Sequence, residues 1–126
     1  MAVKYKVTPV RSPLNAGGQT RYIARPCERK NLDINKLSEY ISDRTTVSRT
    51  DVVAVVYAFA DAIPELLLDN NNIHIPPLGV FSVSFKSEIH ETPGDVTRKS
   101  IQKLKIQFRP GKELKQKLKQ PDISKA

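Results

Sequence analysis

The apolar positions change period along the chain, and each change marks an element. Over residues 2–8, Val3, Tyr5 and Val7 alternate with Lys4 and Lys6, the two-residue period of a half-buried strand. Residues 11–19 are polar and turn-rich, with Pro13, Asn15, Gly17 and Gly18. Thr20 to Ala24 reads as a second strand, and Pro26 ends it because proline offers no N–H to a ladder. The two strands predict a hairpin with a long loop. Tyr5 and Tyr22 are expected to pack across it.

The period then lengthens. Ile34, Leu37 and Ile41 fall at i, i+3 and i+7, one face of a helix that Asn31 or Asp33 can cap. Thr45-Thr46-Val47 interrupts it, and Ser48 opens a second helix with Asp51 three residues on, a shortened capping box at the positive helix end. Val52, Val55, Val56, Phe59, Ala60 and Ile63 draw a broad apolar stripe. Pro64 removes the hydrogen bond to Ala60 and is expected to kink or restart the helix before Leu66.

Alternation returns after the turn at 69–72. Ile73 and Ile75 flank His74 in a short strand, which Pro76-Pro77 ends. Phe81, Val83 and Phe85 alternate with Ser82, Ser84 and Lys86; Leu104, Ile106 and Phe108 alternate with Lys103, Lys105, Gln107 and Arg109. Between these strands, residues 87–99 are polar, with a turn at Pro93-Gly94 and a partly helical stretch open around Val96–Leu104. Leu114 and Leu118 mark a short lysine-rich helix, and the tail from Pro121 is expected to fray. A hairpin, two helices, three strands and a helix make an α+β chain.

Composition narrows the function classes. The chain has 126 residues, 39% of them hydrophobic, with 21 Lys plus Arg against 13 Asp plus Glu. That suits one domain with a core, and a polyanionic partner is the first inference from the net charge of +8. The excess is uneven: residues 1–31 carry +6, residues 32–85 carry −4 and residues 86–126 carry +6. The single cysteine, Cys27, excludes an intrachain disulfide and suits a reducing compartment. No apolar run nears the roughly 18 residues of a membrane span, and Met1 to Lys6 has no secretory h-region. His90 near Glu88 and Glu91 lacks a further ligand for a metal site, His74 between Ile73 and Ile75 reads as a surface strand histidine, and Cys27 has no nearby His in the sequence to make it a nucleophile. With no phosphate-cradling glycine loop or nucleophile elbow, the chain is expected to be no enzyme, to use no cofactor and to take no small-molecule substrate.

The order of elements from about Leu32 to Lys119 resembles the bacterial histone-like HU/IHF DNA-binding family. Three stretches carry the likeness: Val47-Ser48-Arg49-Thr50, Leu78-Gly79-Val80-Phe81, and Phe108-Arg109-Pro110-Gly111-Lys112-Glu113-Leu114-Lys115. The last is the most specific. The strand with Tyr22-Ile23-Ala24-Arg25-Pro26, in the extra N-terminal segment, resembles the extended HU-like subfamily of Bacteroidetes-type bacteria. The resemblance implies an HU/IHF-like helical hairpin plus an antiparallel sheet with an arm, and an added N-terminal β-hairpin. The expected division is a hairpin extension at 1–31, an HU-like domain at 32–120 and a flexible tail at 121–126.

It also implies an intertwined homodimer with Phe81, Phe85 and Phe108 in its aromatic core, acting on double-stranded DNA in the cytoplasmic nucleoid. Lys86, Arg98, Lys99, Lys103, Lys105, Arg109, Lys112 and Lys115 are the expected DNA contacts, with Lys103, Lys105, Gln107 and Arg109 sharing one strand face. Lys4, Lys6, Arg21 and Arg25 either extend that basic surface or guard an edge strand. In this family a proline at the arm tip wedges between base pairs; Pro93 lies near the expected tip and is either such a wedge or a plain turn proline. The stretch 87–99 departs from the family pattern, since no Arg-Asn precedes Pro93 and Glu88, Glu91 and Asp95 outnumber Arg98 and Lys99. Phosphate contact with little base readout is therefore the expected mode, and a structural or protein-interaction module on the same fold is the alternative.

Overall fold

The structure, a computed structural model, describes residues 2–10 and 20–126. The expected turn-rich connection at 11–19 lies outside the described residues. The chain forms two compact units, one of residues 1–33 with 118–126 and one of residues 34–117.

The first unit is a three-stranded sheet. Strands β1 (Val3–Val10) and β2 (Arg21–Pro26) pair antiparallel, in register from Tyr5 opposite Pro26 to Val10 opposite Arg21. Tyr5 and Tyr22 thus do not face each other; each sits across from a proline, Tyr22 from Pro9. The expected flexible tail is instead a strand here, β6 (Ile123–Lys125), which lies parallel to β1 with Val3 opposite Ile123. The backbone N–H of Val3 donates to the Asp122 carbonyl (2.8 Å) and that of Ala126 to the Tyr5 carbonyl (3.0 Å), tying down both ends of the short strand. The sheet order is β2-β1-β6.

The second unit holds the helical hairpin and a second sheet. Helix α1 (Ile34–Ser42) packs on α2 (Arg49–Leu68). Within α1, Ser38 is fully buried and donates its hydroxyl hydrogen to the Ile34 carbonyl at 2.7 Å, which satisfies it inside the helix. Ser48 caps α2 as expected: its hydroxyl accepts from the Asp51 N–H at 3.2 Å, an interaction of about 1 kcal/mol. Of the expected kink or restart at Pro64, the restart does not occur: α2 runs through the proline as one element of 20 residues. At the far end Asn70 adopts φ 63°, and the Asn71 amide donates to the carbonyls of Leu66 and Asp69. Asparagine tolerates that left-handed turn and satisfies carbonyls the helix leaves open.

Strands β3 (Ile73–Ile75), β4 (Gly79–Ser87) and β5 (Ile101–Pro110) form an antiparallel sheet in the order β3-β4-β5. Gly79 starts β4 with φ 149° because the strand passes against the Arg109 carbonyl, where a Cβ has no room. Helix α3 (Lys112–Gln116) follows β5. Phe81 meets Phe108 at 4.8 Å between ring centroids and Phe59 of α2 edge-on at 6.1 Å, joining the sheet to the helix. The architecture is α+β: a helical hairpin with a three-stranded antiparallel sheet, and an added N-terminal strand pair.

Candidate nucleic-acid interface

The β4–β5 ladder sorts the basic residues. Ser82, Ser84 and Lys86 alternate on one face of β4, and the register sets them opposite Gln107, Lys105 and Gln102. Arg109 continues the same face opposite Val80. The other face carries Phe81 with Phe108 and Val83 with Ile106. None of the paired residues on this polar face is a carboxylate, and the only one at its end, Glu88, is bonded to Gln102; the short serines leave Lys86, Lys105 and Arg109 as the side chains that reach furthest. Lys105 and Arg109 are separated by roughly 14 Å along the strand, at about 3.4 Å per residue.

Lys103 does not join that face by alternation. The register slips between Ser84 and Lys86, so that β5 has one residue more than β4 at this point, and Lys103 takes φ 49°. This is a β-bulge, and it exchanges the parity of the strand. Beyond it, Gln102 occupies the polar face opposite Lys86 and Ile101 lies opposite Ser87. The strand therefore extends back to Ile101, and the helical stretch open around Val96–Leu104 shrinks to one 3-10 turn, Arg98–Ser100.

The connection corresponding to the arm is short and internally stitched. The two-stranded ladder stops at Ser87 and Ile101, and the Glu88 N–H donates to the Ser100 carbonyl at 2.8 Å. Pro93 begins a second 3-10 turn, Pro93–Asp95, and Arg98 and Lys99 sit in the turn before β5. Two of the three acids are engaged locally: the Glu88 carboxylate accepts from the Gln102 amide at 2.8 Å, and Asp95 accepts from the Thr92 hydroxyl at 2.6 Å. Ser100, which the sequence pattern does not single out, is the organising residue. It is almost wholly buried, its hydroxyl accepts from the Thr97 N–H at 3.1 Å, and His90 Nε2 lies 3.2 Å away.

Ser100, His90 and Glu88 together have the residue types of a hydrolase triad. Their geometry is different. His90 Nε2 is near both Ser100 Oγ and, at 3.5 Å, Glu88 Oε2, whereas a triad uses the two ring nitrogens for its two partners and exposes the hydroxyl. The cluster closes a turn.

Lys112 and Lys115 lie on α3, exposed, directly after the ladder. Of the expected dimer-core aromatics, Phe81 and Phe108 pack within the chain, with Phe59 as a third member; Phe85 stays 53% exposed.

Comparison with known proteins fits this geometry. A family model described as an HU domain fused to wHTH, Ig, or glycine-rich motif matches residues 1–125. No curated protein matches the chain. Among solved structures, a candidate bacterial DNA-binding protein from Bacteroides vulgatus ATCC 8482 is similar over 98% of this chain, with TM-score 0.67 and 10% identity. This chain spans 47% of that protein's length. HU of Anabaena, crystallised with DNA, is similar over 71% of this chain and 100% of its own, with TM-score 0.54 and 18% identity. These likenesses establish the fold, and the match along nearly the whole sequence establishes the lineage. The chain belongs to the family of HU domains fused to wHTH, Ig, or glycine-rich motifs.

Proposed function

We propose that this protein is a homodimeric, HU-like DNA-binding protein of the bacterial nucleoid, which holds duplex DNA through its phosphates and reads little sequence. The observation that carries the reading is the polar face of the β4–β5 ladder, with Lys86, Lys105 and Arg109 standing on it and no acid among its paired residues. Arg98, Lys99, Lys112 and Lys115 flank that ladder in sequence, Lys103 sits at its bulge, and all five supply further phosphate contacts. Cations spread along a strand face meet a charged backbone; base readout needs donors and acceptors concentrated on an element that enters a groove. The neighbouring HU structure, determined with DNA, supports the same reading. It is tested by titrating labelled random-sequence duplex with the purified chain; failure to bind even at low salt overturns it in favour of a protein-interaction module.

The homodimer is supported by what one chain leaves uncovered. Among the described residues only Val52 and Leu67 are buried apolar side chains. Val55 on the expected α2 stripe is 64% exposed, and Leu104 and Ile106 on the apolar side of β5 are 56% and 54% exposed. A cleft of about 180 Å³ lies open between Pro64, Leu67 and Leu68 of α2 and Val83, Leu104 and Ile106 of the sheet. Each such side chain gains roughly 1.5–3 kcal/mol on full burial, so a second copy covering this face is strongly favoured. The midpoint of thermal unfolding should therefore rise with protein concentration, by several degrees over a hundredfold range. A midpoint independent of concentration, with a monomer mass in sedimentation, contradicts the dimer.

The stitched connection argues for binding without a wedge. Intercalation needs the proline carried away from the body on a long two-stranded arm, and here the ladder ends at Ser87 and Ile101 while Pro93 starts a 3-10 turn. Pro93→Ala should leave duplex affinity within about twofold and the DNA bend unchanged, as read by mobility of circularly permuted fragments. A clear loss of bending restores the wedge.

A further inference from the structure

Most of the net charge is outside the HU-like body. The unit of residues 1–33 and 118–126 carries nine Lys plus Arg and three Asp plus Glu, a net +6, whereas residues 34–117 carry twelve and ten, a net +2. The smaller unit is thus by far the more densely cationic.

Its register gathers part of that charge on one face. Lys4, Lys6 and Thr8 alternate on β1, and the pairs Lys6–Arg25, Thr8–Ile23 and Val10–Arg21 put Arg21 and Arg25 on the same side. Val3, Tyr5, Val7, Tyr22 and Ile123 belong to the opposite side. Lys4 is paired with Glu28 at 3.0 Å. Lys6 and Arg25, by contrast, oppose each other directly across the strands, an arrangement of like charges that weakens a sheet unless an anion lies against both. Arg25 is also held in place, since its Nε donates to the Thr8 hydroxyl at 3.2 Å. Arg21 repeats the charge four residues back along β2, roughly 14 Å away at about 3.4 Å per residue.

We propose that the Lys6–Arg21–Arg25 face of the β2-β1-β6 sheet is a second duplex-DNA contact, separate from the β4–β5 ladder. The face selects among polyanions by what it lacks. Its tyrosines are on the other side, so it offers no platform for stacking unpaired bases. Most of the sheet's apolar residues, Val3, Val7 and Ile123 among them, are on that other side too, and the cationic face carries only Ile23 and Val10 between its charges, too little to anchor it in a membrane. What remains is a flat strip of cations at intervals, suited to the repeating phosphates of a duplex. This rests on the reading of the chain as a duplex-DNA binder.

The test compares the whole wild-type chain with two variants, Lys6→Gln/Arg21→Gln/Arg25→Gln and Lys86→Gln/Lys105→Gln/Arg109→Gln, on the same duplex DNA and on a duplex RNA of equal length across a salt series. Every phosphate that a variant no longer neutralises reduces the log–log salt slope by about 0.9, so the first variant should be shallower by close to three per chain. Its unfolding midpoint should be no lower than the wild type's, since the substitutions remove the Lys6–Arg25 opposition, and Arg21→Lys/Arg25→Lys should keep the wild-type slope. An unchanged slope in the first variant overturns the second contact and leaves the ladder reading intact. Residual binding by the ladder variant that still falls with salt supports it. A wild type that binds no DNA, or a slope change seen with RNA duplex alone, overturns it.

Discussion

Lys86→Glu, Lys105→Glu and Arg109→Glu together should weaken duplex binding by about a thousandfold or more, with the fold intact. The three side chains stand on one face of the β4–β5 ladder and are exposed. Hydrogen bonds to charged groups are worth roughly 1.5 kcal/mol or more each, and three of them reach about three decades in affinity. Reversal adds repulsion to the loss. None of the three is a member of the Phe59–Phe81–Phe108 cluster, so the melting midpoint should stay near that of the wild type. Anisotropy titrations at low salt read the affinity directly. A change smaller than threefold would mean that this face does not hold the DNA.

Gly79→Ala should cost about 3 kcal/mol or more of stability. A Cβ at this position would lie 2.1 Å from the Arg109 carbonyl oxygen and 3.0 Å from the Gly111 nitrogen. Both are backbone atoms of the neighbouring strand end, so neither can swing aside as a side chain can. Residue 79 also holds φ 149°, where a side chain adds strain of order 1–3 kcal/mol. The strands can separate only by giving up the Gly79–Pro110 pairing and the bond from the Gly111 N–H to the Leu78 carbonyl, 2.9 Å. Because Arg109 sits at that junction, duplex affinity should fall along with stability. Denaturant midpoints at fixed protein concentration check the first effect. Wild-type stability would show that the strands approach less closely than this.

The helical hairpin and the strands that follow were legible because their signals are local. Ser48 with Asp51 marks the start of α2, and the alternation from Phe81 to Lys86 marks β4. The departures come from interactions between distant residues. The strand β6 has three residues and no period of its own; it exists through pairing with β1, more than a hundred residues earlier. The bulge at Lys103 is silent in sequence because Lys103 and Leu104 continue the apparent alternation, and no glycine marks the positive φ. It moves Gln102 onto the face that simple alternation assigns to Lys103. Ser100 reads as an ordinary loop serine, and only the folded connection shows it buried beneath His90 and Thr97. For the candidate site, the cationic residues on β5 and α3 were visible as a class, whereas the division of charge between the two units emerged only once 118–126 joined 1–33.

The most direct test of phosphate-borne binding is the salt dependence of affinity for random-sequence duplex. A dimer presenting Lys86, Lys105 and Arg109 from each chain should give a log–log slope of roughly −5 or steeper, at about 0.9 per neutralised phosphate. A slope near zero, with affinity unmoved between low and physiological salt, would contradict it.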